Sequence, residues 1–193
     1  MLKKLQFHFP FKPFKITQNW GNPNPLYDPL GFSKHNGVDA NVGRFDWQGR
    51  VVSEYPVYCP VEGFRVSEVA YYPTGGGNQI GMVSKEKRWV GDKLCYVSIL
   101  LCHAKQILIK VGDEPSVGEL LMIADNTGFS TGVHTHIGIY RLDDNLQKLD
   151  TNEMSGSYNP QPLFTGAYAV DVASLGTLIK SNWRYFQYLV GYN

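Results

Sequence analysis

Between Phe64 and Tyr72 the sequence FRVSEVAYY alternates apolar and polar side chains. A strand with one buried face must do this, because successive residues face opposite sides of a sheet. The run CYVSILLCH (95–103) is instead almost wholly apolar, which marks a central strand covered on both faces. Shorter runs of the same kind recur between Gly, Pro and Asn turns: GVDAN (37–41), PVYCPV (56–61), NQIGMVS (78–84), LLMIAD (120–125) and HTHIGIYR (134–141). Residues 35–140 carry no sustained 3.6-residue period. The pattern predicts a mostly β protein with an antiparallel core.

The flanks read differently. Residues 1–30 form an irregular N-terminal segment in which GNPNPLYDPLG starts an almost continuous series of turn signals, with one short strand expected over 14–20. The main β domain is expected over 31–165, with the polar stretch LDDNLQKLDTNEMSGSYNPQP as a hairpin excursion or exposed loop. Over the tail, 166–193, Val172, Leu175, Ile179, Trp183, Phe186 and Val190 recur at three- or four-residue steps. That spacing predicts an amphipathic helix, packed on the domain or docking another subunit.

A formal net charge of +1 argues against capture of nucleic acid or of an anionic membrane surface. No apolar stretch is long enough for a membrane-spanning helix, so no membrane insertion is expected. The opening MLKKLQFHFPFKPF is broken by Pro10, Lys12 and Pro13 before an apolar signal-peptide core can form, so no signal peptide is expected. Three cysteines, Cys59, Cys95 and Cys102, make an odd and irregularly spaced set. They read as buried reduced thiols rather than a disulfide framework.

The histidines change the picture. Of the five, His134 and His136 lie two apart in TGVHTHIGIY and so project from one face of a strand, with Cβ atoms roughly 6–7 Å apart. Ile137 and Ile139 then face the core, and the preceding TGFSTG supplies a turn. In KHNGVDAN, His35 and Asp39 stand at the mouth of another strand. His103 ends the apolar run CYVSILLCH. Two imidazoles and a carboxylate are a common zinc set with a fourth position open. Five such groups exceed one tetrahedral ion, so the surplus must support the ligands or take part in chemistry.

From Gly31 to Arg141 the sequence resembles the lysostaphin-like zinc endopeptidases, which cut peptidoglycan cross-links. KHNGVDAN resembles that family's HxGxD segment, PVYCPVEGFRVSEV its following hairpin, and GGGNQIGM its glycine-rich turn into a strand. The closing half, KVGDEPSVGELLMIADNTGFSTGVHTH, matches the family pattern closely. The resemblance implies a lysostaphin-type, duplicated-hybrid-motif-like antiparallel β domain. It also implies Zn2+ held by His35, Asp39 and His136, with His103 and His134 as catalytic residues beside it. Tyr27 in NPLYDP precedes the first of these residues and is a candidate substrate-binding oxyanion donor at the cleft rim, against a surface or packing role.

Two family features differ: Leu101 replaces an aromatic residue two positions before His103, and Ala104 replaces a leucine after it. RFDWQGRVVSEY (44–55) adds a longer connection near the cleft. Zinc-dependent hydrolysis of peptidoglycan amides at small residues such as Gly or Ala is the implied activity. A catalytically inactive wall-binding or scaffold module that activates a partner is the alternative. With no export signal expected, the expected setting is the bacterial wall reached by a bacteriophage product, released through a holin or mounted on the virion, or otherwise by a secreted bacterial enzyme whose leader has been removed. Tail or virion proteins would then be partners through the termini.

Overall fold

The computed structural model describes residues 3–44, 49 and 51–169. The helix expected over the tail lies outside the described residues. Eleven strands are described: β1 (Phe7–Phe9), β2 (Lys15–Gln18), β3 (Val38–Asn41), β4 (Tyr55–Tyr58), β5 (Phe64–Tyr72), β6 (Gly77–Ser84), β7 (Arg88–Val90), β8 (Lys93–Ile107), β9 (Leu120–Ala124), β10 (Thr135–Leu142) and β11 (Phe164–Tyr168). Nine of them form one antiparallel sheet, in which β2-β3-β10-β8-β6-β5 run side by side. β7 and β9 join β8, and β4 pairs with β9. The fold is mostly β, and β8 is central, as its continuous apolar run predicts.

Alternation sorts the side chains of the central strands. Val97, Ile99 and Leu101 of β8, Ile80 and Met82 of β6, and Ile137 and Ile139 of β10 pack into one core. Each such side chain removed from water contributes about 1.5–3 kcal/mol. The opposite face of the same strands carries Gln79, Leu100, Cys102 and His136, which floor a cavity. All three cysteines are free and buried.

β8 is interrupted by a bulge. Leu101 pairs with Ile80 but Ala104 with Asn78, so Cys102 and His103 together oppose the single residue Gln79. His103 takes up the extra residue with a left-handed backbone, φ 68°. Beyond the bulge the strand pairs with β9. The bulge thus bends β8 from one set of neighbours to the next.

Three short strands escape the sequence pattern. β1 and β11 form a separate parallel pair joining Phe7 to Phe164, two segments far apart in the chain. Aromatic rings pack around them, among them Phe9 stacked on Phe14 at 4.5 Å and Phe11 tilted against Tyr55 at 4.7 Å. β7, RWV, is too short to show a period and exists as the partner of β8. The polar stretch after Arg141 folds back as expected: Leu142 bridges Lys148, and Leu149 N–H donates to the Arg141 carbonyl. No helix among the described residues is long and apolar enough to cross a membrane.

Candidate metal centre

The register of two strands builds most of the site. β3 and β10 run antiparallel with His136 directly opposite Asp39. Their neighbours Thr135 and Ile137 turn to the other face, where buried Thr135 meets the Tyr55 hydroxyl at 3.0 Å. His35 arrives just before β3. Between them Gly37 passes so close to β10 that a Cβ there would lie 2.5 Å from the Ile137 carbonyl oxygen and 2.6 Å from the His136 ring. Gly37→Ala is therefore expected to push the His136 ring aside, costing about 1–3 kcal/mol by overpacking. Thermal unfolding together with zinc titration of the variant checks this: both stability and affinity should fall.

Three donor atoms converge. His35 Nε2 stands 3.0 Å from Asp39 Oδ1 and 3.1 Å from His136 Nδ1, and His136 Nδ1 is 2.9 Å from Asp39 Oδ1. All three residues are buried. Three donors this close to one another suit a single ion with bonds of about 2.0–2.2 Å, which His35, Asp39 and His136 would hold. The proton count points the same way. His35 Nδ1 faces the Asn19 carbonyl oxygen at 3.1 Å, which can only accept, so Nδ1 carries the proton. In that tautomer the Nε2 lone pair faces Asp39 Oδ1, the orientation a metal ligand would need.

The electrostatics suit a cation. Burial alone would raise the Asp39 carboxyl, but the imidazoles of His136 and His35 beside it outweigh burial and hold Asp39 well below the usual carboxylate range. Burial also lowers the His136 imidazole, favouring its neutral form, the form that ligates.

His103 and His134 stand beside this triangle, their ring centres 4.5 Å apart. Strict alternation along β8 would turn His103 into the core with Ile99 and Leu101. The bulge instead puts it on the cavity side with Cys102. Its Nδ1 donates to the Thr127 carbonyl at 2.7 Å, and His134 Nδ1 donates to the Gly132 carbonyl at 2.8 Å. Each ring is thereby held as the tautomer whose Nε2 carries a lone pair. His134 Nε2 lies 3.5 Å from Asp39 Oδ1. Burial, and then repulsion from His134, pushes the His103 imidazole down to about 4, so it is neutral at pH 7.

Tyr27, in a 3-10 turn over Pro25–Leu30, stacks on the His35 ring at 5.5 Å. Burial, then the nearby Asp39 charge, raises its hydroxyl to about 12, so it stays a donor.

The triangle opens on two sides. A cavity of about 320 Å³ is walled by Leu26, Tyr27, Phe32 and Phe129. A second, of about 590 Å³, shares Asp39 and His134 and is lined by Thr17, Asn41, Arg44 and Val52. The described part of the 44–55 connection therefore borders the cleft. Leu101 and Ala104 are both in the core, so these two departures from the family pattern alter packing rather than the cavity surface. Sequence reasoning missed the carbonyls of Asn19, Thr127 and Gly132, because backbone acceptors leave no mark in residue type.

No family model matches the sequence. A metalloprotease of Haemophilus influenzae described as uncharacterized is 31% identical over 116 residues, 60% of this chain and 20% of that one. The glycyl-glycine endopeptidase ALE-1 of Staphylococcus capitis is 30% identical over 115 residues, 56% of this chain and 25% of that one. The chain thus spans a quarter or less of the length of these curated relatives. The catalytic domain of the antimicrobial peptidase lysostaphin from Staphylococcus simulans superposes with a TM-score of 0.52 at 24% identity, covering 77% of this chain and 90% of that domain. The chain is thus similar in sequence to these metallopeptidases and shares the fold of the lysostaphin catalytic domain.

Proposed function

We propose that the protein is a zinc-dependent endopeptidase that hydrolyses peptide bonds in bacterial peptidoglycan, in cross-bridges or stem peptides. One observation carries the reading: a buried triangle of His35, Asp39 and His136 donors lies beside two histidines whose Nε2 lone pairs are fixed by backbone carbonyls. His35, Asp39 and His136 would hold the ion. Zinc, when bound, supplies a Lewis acid that polarises a carbonyl and lowers the pKa of water to about 7.

The chain's own groups supply the rest. His103 and His134, each with Nε2 free to accept, take the proton of the attacking water. Once protonated, the same nitrogens donate to the leaving amine. The Tyr27 hydroxyl donates to the oxyanion that develops on the substrate carbonyl. The two cavities receive the chain on either side of the scissile bond. The substrate class rests on the resemblance to lysostaphin-like endopeptidases and on the Staphylococcus capitis relative, whose name specifies a glycyl-glycine endopeptidase.

The test is incubation of the purified protein with purified peptidoglycan, followed by turbidity and by mass spectrometry of released fragments. Clearance with new amino termini is expected, lost after chelation and regained with added zinc. A protein that binds wall material, carries no zinc and never clears it would instead be an inactive scaffold.

A further inference from the structure

We propose that Trp20, Ser157 and Gln161 are positioning residues that clamp His35 in its metal-binding orientation from outside the motif-bearing region. This rests on reading His35, Asp39 and His136 as the metal ligands.

The only hydrogen bond that fixes the His35 ring from behind, among the described residues, is the one from Nδ1 to the Asn19 carbonyl, 3.1 Å. Tyr27 stacks flat on the ring and leaves it free to turn in its own plane, so that carbonyl sets where Nε2 points. The Asn19 carbonyl belongs to a turn with no strand partner of its own. Gly21 N–H donates to the His35 carbonyl and His35 N–H to the Asn22 carbonyl, each at 2.8 Å. These bonds tie the turn to His35, and β2 ends one residue before Asn19, at Gln18 paired with Asp39.

A second anchor for the turn comes from the segment after β10. Trp20 Nε1 donates to Ser157 Oγ at 2.8 Å, and Gln161 Nε2 donates to Asn19 Oδ1 at 2.9 Å. Ser157 is 1% exposed, so its hydroxyl has little water to fall back on. Its segment is fastened to β10: Tyr158 N–H donates to the Ile139 carbonyl at 2.7 Å, and the Arg141 guanidinium lies 4.7 Å over the Tyr158 ring.

β10 also carries His136. One segment after the sheet therefore grips both ligand-bearing elements, the strand of His136 directly and the turn behind His35 through Trp20 and Asn19. None of the three residues falls between Gly31 and Arg141, where the family motifs lie. Outer partners that orient metal-bound imidazoles are commonly worth 10–100-fold in affinity. Trp20 and Ser157 act one residue further out, which places their effect near the low end.

The test is zinc affinity of the full chain by competition with a chromophoric chelator, read beside the melting temperature of the metal-free protein. Trp20→Phe and Ser157→Ala remove the same hydrogen bond from its two ends. Each should weaken zinc binding by about tenfold. The double variant should be no weaker than either single one, and Ser157→Thr should restore most of the affinity. Gln161→Ala, at a less buried contact, should show a smaller loss and folds even if the others do not. Unchanged zinc affinity with a lowered melting temperature would make the clamp purely structural and overturn the proposal, as would additive losses in the double variant. Wild-type protein that binds no zinc would instead sink the metal-centre reading on which the clamp rests.

Discussion

Asp39→Asn is expected to lower zinc affinity more than a hundredfold while leaving the sheet folded. The outer partners of metal-bound histidines are already worth about 10–100-fold, and Asp39 supplies the one anionic donor of the triangle. Its Oδ1 is within 3.0 Å of both histidine donors. An amide oxygen can occupy the same place but brings no charge to balance a dication between two neutral imidazoles. The fold should tolerate the change, because Asp39 enters the sheet through backbone pairing with β10 and β2, which Asn preserves. Zinc content after dialysis and chelator competition measure the loss, and circular dichroism checks the fold. Full zinc occupancy in the variant would remove Asp39 from the ligand set.

How much of this was legible beforehand depends on whether the signal is periodic. The shared face of His134 and His136 follows from strand alternation alone, and so does the burial of Ile137 and Ile139. The β5 and β8 runs likewise announce a half-buried and a central strand. That Asp39 pairs with His136 does not follow from spacing, because register between β3 and β10 is a tertiary property. Gly37 reads in the sequence as a turn residue, yet its role is to let the His136 ring pass.

His103 is the clearest case of a local rule failing at a functional position. Periodicity puts it in the core, and only a bulge with a left-handed backbone brings it to the cavity. Family resemblance singled it out where the pattern could not. β1 and β11 were illegible for another reason: their only strand partners are each other, and no short-range pattern reports a pairing between chain ends.

His103→Ala should keep zinc and lose turnover. The ring makes no contact with the Asp39 carboxylate as short as those of His35 or His136, so zinc affinity should change by less than the loss seen for Asp39→Asn. Its contribution is a proton acceptor of fixed tautomer, and general-base catalysis is commonly worth about 10²–10⁴-fold. A loss of kcat in that range is expected on peptidoglycan, with bound zinc unchanged. His134→Ala should behave alike, and the double variant should lose little more than either. With ring centres 4.5 Å apart, repulsion disfavours a proton on each ring at once, and the two act as a single base.

The pH profile supplies an independent check. His134 is one of the groups holding His103 down near 4. Removing that neighbour makes the charged form of His103 easier to reach, so its pKa rises. The residual activity of His134→Ala should then fail at a higher pH on its acid side than the wild type does. An acid limb that stays in place, or moves lower, would separate the two histidines and assign the base to only one of them. Loss of zinc in His103→Ala would go further, and place that residue among the ligands.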